Sequence, residues 1–185
     1  MAGVNKRSRC WWFVQLIDNL PEDWESKLYD MVLPGCYIVH DQDTKLDIET
    51  GELLPVAPHV HCLVEFGNAV LAKTVLDVLP EEFGVLHVEP VPTKVGAYRY
   101  LLHLGHEEKH EYQRDEMKHL HGFRVNMSDV YNVDFSDVYS LINEMQIDNF
   151  AVLMSFLVEF KPDFVPYVSA HVNLVRSFLM ERSKL

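Results

Sequence analysis

Apolar and polar positions change period repeatedly along the first half of the chain. Residues 9–17, RCWWFVQLI, are aromatic and β-branched and predict a strand. NLPEDWESKLYDMV then switches to helical spacing: Pro21 and early acids mark a start, and Trp24, Leu28 and Met31 share a face. LPGCYIVH, ending at His40, predicts a second strand, and residues 41–57 a long polar excursion with a turn at Thr50-Gly51. HVHCLVEF predicts a third strand, NAVLAKTVLDVLP a helix stopped by Pro80, GVLHVEP a fourth strand, and TKVGAYRYLLHLG a helix with Gly105 in the cap position. The order β-α-β-β-α-β-α predicts an α+β fold of the split βαβ, ferredoxin/RRM-like kind, an antiparallel sheet with helices on one face.

Residues 105–133 are polar and histidine-rich and follow neither period. From 135 to 184 helical periodicity returns in FSDVYSLINEM, DNFAVLMSFLVEF and FVPYVSAHVNLVRSFLMERS, about three helices. The expected organisation is one domain over residues 1–133 and a small helical C-terminal segment over 134–185. A segment of that size is marginal alone and is expected to pack on the first domain or on other subunits.

Composition narrows the classes. A chain of 185 residues that is 48% hydrophobic can bury a core, which excludes wholesale disorder. No apolar run reaches the roughly 18 residues of a membrane span, and the basic start MAGVNKRSRCWWFV lacks a signal-peptide pattern. Three scattered cysteines, Cys10, Cys36 and Cys62, fit reduced thiols, so a cytoplasmic protein is expected. The net charge of -12 argues against coating nucleic acid through bulk charge, but leaves room for a site that meets a few phosphates with a metal and placed cations.

The chemistry concentrates in PHVHCLVEF. Side chains alternate along a strand, so His59 and His61 share a face, and two neighbouring imidazoles can hold one divalent metal. The preceding strand ends IVHDQD; if it pairs with the third, His40 lands near the pair and Asp43 follows. Three imidazoles and a carboxylate make a four-ligand set that admits Mn²⁺, Co²⁺, Zn²⁺ or Mg²⁺. The same residues also read as turn aspartates and a strand-end histidine. In AYRYLLH, helical spacing gives Val95, Tyr98, Leu101 and Leu102 to the core and turns Tyr100 about 160° away from Tyr98, with Gly96 and His103 on its side. His87 and Glu89 alternate onto one face of the fourth strand, bordering the cleft. His106 with His110, and His119 with His121, have metal-pair spacing in an acidic, loop-like setting.

Taken in order, CWWFVQLIDNLPEDWESKLYDM, YIVHDQD, PHVHCLVEF and AYRYLLHLGHEEKHEY resemble the replication initiators of small rolling-circle plasmids, the RepB-type branch of the HUH endonucleases, over about residues 8–115. The resemblance implies His59 and His61 as the paired metal ligands, completed by His40 and Asp43. It implies Tyr100 as the nucleophile rather than Tyr98. Many HUH relatives carry a lysine shortly after the tyrosine; His103 stands there instead, so that lysine's role does not transfer and His103, with Glu89, is an auxiliary candidate. The implied activity is metal-dependent, sequence-specific nicking and rejoining of single-stranded DNA through a 5′-phosphotyrosine, initiating rolling-circle plasmid replication, with Mn²⁺ or Mg²⁺ as cofactor. The implied partners are origin DNA, as a single-stranded hairpin loop with flanking duplex, a host helicase and polymerase in a bacterial cytoplasm, and further copies of the chain through the helical segment.

Lys6, Arg7, Arg9, Lys94 and Arg99 are the nearest cations for phosphate contacts. No G-x-x-x-x-G-K-[ST] occurs, so no fused helicase is expected. The rival readings are a single-tyrosine transposase or relaxase, a non-catalytic ferredoxin-like nucleic-acid-binding protein with a structural metal, and a zinc hydrolase, for which no general-base carboxylate stands out.

Overall fold

A computed structural model describes residues 6–182, which form two compact units that divide between Arg124 and Val125. In the first unit β1 (Ser8–Leu16) leads through a short 3₁₀ turn to α1 (Trp24–Asp30) and β2 (Gly35–His40). β3 (Thr44–Leu46) and β4 (Leu53–Pro55) pair as a separate hairpin within the polar excursion. β5 (His59–Val70), α2 (Ala72–Val78), β6 (Glu89–Pro90), α3 (Lys94–Leu101) and β7 (Lys118–Leu120) complete the unit. The main sheet has the order β6-β1-β5-β2-β7, with antiparallel pairing throughout. With β7 removed from the edge, this is the split βαβ arrangement that the element order predicts.

Two elements differ in length from the expectation. The third strand runs on to Val70, so α2 begins only at Ala72, and the fourth strand shrinks to Glu89–Pro90 because β1 offers it only Trp11 and Trp12 as partners. The larger difference concerns the faces of the sheet. One face buries Trp11, Phe13, Tyr37, Val60, Cys62 and Val64 against Leu28 of α1, Val75 of α2 and Leu79 just after it, each large side chain contributing about 1.5–3 kcal/mol. The opposite face carries Trp12, Ile38, His40, His59, His61 and Leu63, and α3 lies over it: the Leu101 carbonyl bonds His40, and Tyr100 packs on Trp12. Helices on one face only is therefore corrected to two on one face and α3 on the other. The cause is α3's own apolar stripe: Ala97, Tyr98, Leu101 and Leu102 are buried, and the first face is already covered.

Gly35 marks how closely β2 approaches β5. A Cβ there would lie 2.4 Å from the Leu63 carbonyl oxygen, which belongs to the backbone and cannot step aside. Gly35→Ala is expected to cost about 1–3 kcal/mol through strand displacement, read as a lower denaturant midpoint; an unchanged midpoint would contradict this packing.

The second unit contains α4 (Met127–Val130), α5 (Phe135–Glu144), α6 (Phe150–Phe160), α7 (Val165–Ala170) and α8 (Val172–Arg182) around a core that includes Val138, Ile142, Leu153, Leu157, Val168 and Val175. Asp134 caps α5 and Asn149 caps α6 through their side-chain oxygens. The division falls before α4 because that short helix packs with α7, drawing residues 125–133 into the helical unit. The long C-terminal helical pattern is broken at His171, which leaves the helical conformation. Among the described residues no helix is long and apolar enough to cross a membrane.

Candidate metal centre and nucleophile

The sheet register assembles the cluster. His59 stands opposite His40 across β5 and β2, and His61 stands two residues along the same face. The ligand atoms of His40, His59 and His61 lie within 4.8 Å of one another, as do those of His40, Asp43 and His103. Asp43 leaves the end of β2 and is held by the hairpin, where the Val56 N–H donates to its backbone carbonyl at 2.8 Å.

Backbone carbonyls fix the protons of these rings. A carbonyl can only accept, so the 2.8 Å contact of His40 Nε2 with the Leu101 oxygen puts the proton on Nε2 and leaves the lone pair on Nδ1. By the same reasoning Nδ1 of His59 donates to the Ala57 oxygen at 2.9 Å and Nδ1 of His103 to the His110 oxygen at 2.8 Å. His40 Nδ1 is fully buried and has no hydrogen-bond partner among the described residues. It faces Asp43 Oδ2 at 3.6 Å, and His59 Nε2 faces the same oxygen at 3.8 Å. Lone pairs turned toward a carboxylate across such gaps repel it unless a cation lies among them. The donor set, the orphaned nitrogen and the carbonyl-held second nitrogens therefore fit a divalent metal.

Burial is the main cause of the low basicity here. It pushes His40 down to about 4, only partly offset by its bond to the Leu101 carbonyl. It pushes His61 down to about 3, with His40, His59, His103 and Lys109 adding repulsion of a second positive charge. His103 is lowered too, again mainly by burial. These rings are neutral near pH 7 and offer lone pairs. The unfolded chain, with ordinary histidines near 6.5, binds more protons than the folded one between that value and about 4. The metal-free protein is thus expected to keep its stability above pH 6.5 and lose it as the pH falls through that window. Melting temperatures in chelator at pH 7.5, 6 and 4.5 check this, and a flat or rising series would contradict it.

Tyr100 sits half-buried on α3, its ring centroid 6.0 Å from that of His61 and 5.2 Å from that of Trp12. Tyr98, two residues earlier, is buried with its hydroxyl 2.9 Å from His119 Nε2, so it faces the sheet as its spacing predicts. Thr93 starts the helix by accepting from the Gly96 N–H, and a Cβ at Gly96 would meet that hydroxyl at 2.7 Å. The end of the helix corrects the sequence expectation. The left-handed cap residue is His103 (φ 56°) and not Gly105: the His103 N–H returns to the Tyr100 carbonyl and the Leu104 N–H to that of Arg99. This turn takes His103 off the helix and buries it with Nδ1 3.6 Å from Asp43 Oδ1. Next to Tyr100 opens a cavity of about 250 Å³ lined by Trp12, Val14, His61, His87, Glu89 and Tyr100 itself.

Two residues around the centre carry no sequence signal. Tyr112 stacks on His40 at 4.4 Å with planes 8° apart, donates to Asp43 Oδ1 and accepts from the Gln42 N–H. Burial raises its phenol to about 12, so it stays protonated as a donor. Lys109 holds its Nζ 5.1 Å from the Tyr100 ring centroid. Both lie in the stretch 105–133 that follows no period, and only the turn at His103 brings them back over the sheet.

The remaining candidates divide. Glu89 accepts from Trp12 Nε1 and lies 3.2 Å from His87 Nε2, both on the cavity wall. Lys94 is bound to both oxygens of Glu65, while Arg7 and Arg9 donate to the carbonyls of Ala69 and Phe66; Lys6 is exposed and Arg99 half-buried on α3. His119 meets Tyr98, His121 meets the Tyr29 carbonyl, and His106 lies 3.4 Å from Glu108, so these histidines engage separate partners.

Residues 4–126 match the family described as plasmid replication protein, origin binding domain. A replication protein from Staphylococcus aureus is 27% identical over 170 residues, 86% of this chain and 80% of that protein. Replication protein RepB from Streptococcus agalactiae is 28% identical over 169 residues, 84% and 79% respectively. RepB from Lactiplantibacillus plantarum is 25% identical over 119 residues, 64% of this chain and 51% of its own. A family match over residues 4–126, a stretch that includes the histidine cluster and Tyr100 and more than half of the chain, settles the affiliation: the chain belongs to the plasmid replication protein origin-binding domain family.

Proposed function

We propose that the protein binds a plasmid origin and nicks and rejoins one DNA strand there, with Tyr100 as nucleophile and His40, Asp43, His59 and His61 holding a divalent cation, Mn²⁺ or Mg²⁺. The observation that carries this reading is the placement of a half-buried tyrosine ring 6.0 Å from the His61 ring, at the rim of a cluster whose His40 Nδ1 is buried and unpaired. A cation held there would neutralise charge on a non-bridging phosphate oxygen and make the phosphorus more electrophilic.

The chain's own groups supply the rest. Leu101, Ala57 and His110 carbonyls lock the imidazoles, Tyr112 steadies Asp43, and His103 buttresses the same carboxylate. Tyr100 attacks the phosphorus: its oxygen forms the P–O bond, its proton leaves, and the bond to the 3′ oxygen breaks. That oxygen takes up a proton and ends as a free 3′-hydroxyl, able to prime synthesis. The 5′ phosphate remains on Tyr100 as an ester, so a later 3′-hydroxyl can reverse the step and close the strand. Lys109, over the phenol ring, places a positive charge where the strand's phosphates would arrive. A tyrosine in this cleft reaches a phosphate of unpaired DNA better than one inside a duplex, which favours an exposed hairpin loop as substrate.

Residues 125–185 expose Val158, Phe160 and Met180, which supports self-association through the helical unit; the mass of the protein in solution tests it. The proposed chemistry is tested by incubating the protein with single-stranded origin oligonucleotides with and without Mn²⁺ on a denaturing gel. A metal-dependent protein–DNA adduct supports nicking. Binding without any adduct on the cognate origin supports a DNA-binding protein with a structural metal instead.

A further inference from the structure

The cavity beside Tyr100 has a chemistry that nicking alone does not use. Its rim is the Glu89 carboxylate, an anion placed where a DNA strand would bring phosphates. Register explains its presence: Glu89 is the cross-strand partner of Trp12 in β6 and β1, so it stands on the same face as the indole. Trp12 Nε1 donates to Oε2 at 3.3 Å, and His87 Nε2, 3.2 Å from Oε1, donates to the other oxygen. Both oxygens thus have a neighbour on the cavity wall, while Glu89 and His87 themselves are exposed. Each oxygen keeps one unused lone pair, because a carboxylate oxygen carries two. The floor is apolar: the Trp12 indole and Val14, which is 49% exposed on the sheet.

We propose that this cavity is a nucleobase subsite that receives a guanine flanking the scissile phosphate and reads it through Glu89. The location of that phosphate rests on Tyr100 being the nucleophile. A volume of about 250 Å³ suits one planar base and lies below the usual range for larger organic ligands. Stacking on the indole is available to any base. Glu89 makes the choice. Guanine presents a ring N–H and an amino group side by side, two donors for the carboxylate's two acceptor oxygens. Adenine and cytosine set an acceptor beside their amino group, and thymine flanks its single N–H with carbonyls, so each would turn an oxygen or a bare ring nitrogen toward the carboxylate. The contact of Trp12 with Tyr100, 5.2 Å between ring centroids, ties the two functions together: a base seated on Trp12 delivers its own phosphate to the phenol.

The test uses the full chain carrying Tyr100→Phe, which binds without cleaving, in chelator, with a pool of randomised single-stranded DNA. The expected result is enrichment of guanine at one position next to the bond that the native protein cuts. Adding Glu89→Gln, which keeps the shape and replaces one acceptor by a donor, should lower that preference by about tenfold or more and leave other positions alone. Inosine, which lacks the amino group, should weaken binding at that position only when Glu89 is intact. A guanine preference that survives Glu89→Gln, a preference remote from the cut, or a uniform rise or fall in binding to all sequences would overturn the subsite. Because binding is read without metal or cleavage, the nicking proposal can fail independently: a native protein that never forms an adduct, with Glu89-dependent guanine selection intact, would sink nicking and keep the subsite as a base-reading pocket.

Discussion

Tyr100→Phe is expected to abolish the covalent adduct and strand cleavage, by roughly a thousandfold or more, while leaving fold and DNA affinity nearly unchanged. The ring would stay in contact with Trp12 and His61, since only the hydroxyl is lost and Tyr100 is half-buried rather than locked in the core. Tyr98 cannot substitute: it is buried, and its hydroxyl is committed to His119 on the far side of the helix from the cavity. Measuring adduct on a gel and affinity by fluorescence anisotropy separates the two effects. Retained cleavage would remove Tyr100 from the reaction.

His61→Ala should have the second large effect, on metal binding. Among the described residues no backbone carbonyl bonds either ring nitrogen of His61, unlike those of His40, His59 and His103, and it is the ligand candidate beside Tyr100. At Mn²⁺ a hundredfold above its dissociation constant, the native protein should gain about 2.7 kcal/mol of stability, seen as a rise in melting temperature. His61→Ala should lose most of that rise and of the cleavage. Truncating this buried ring also removes packing, so the melting temperature in chelator is measured beside the Mn²⁺ response to separate the two losses. A full Mn²⁺ response in the variant would mean that the cation, if bound, lies elsewhere.

Much of this centre was legible in sequence because it depends on local rules. Alternation along β5 puts His59 and His61 on one face, the end of β2 brings His40 opposite them, and the 100° step of a helix separates Tyr100 from Tyr98. What stayed hidden depends on distant contacts. Which face α3 covers is decided by the prior occupation of the other face by α1 and α2, and no periodicity within α3 reports that. His103 adopts a left-handed backbone where Gly105 looked the better cap, because burial against Asp43 and the His110 carbonyl offsets the strain. Tyr112 and Lys109 reach the site only through the return of the chain after that turn.

The reaction is tested most directly by locating the covalent link. Trypsin cuts after Arg99 and Lys109, so Tyr100 falls in the peptide 100–109, in which it is the single tyrosine, while Tyr98 falls in the preceding one. Digesting the adduct formed with single-stranded origin DNA and Mn²⁺, followed by mass spectrometry, should show the nucleotide mass on peptide 100–109 alone. Nucleotide on any other peptide would contradict the assignment of Tyr100 as the nucleophile.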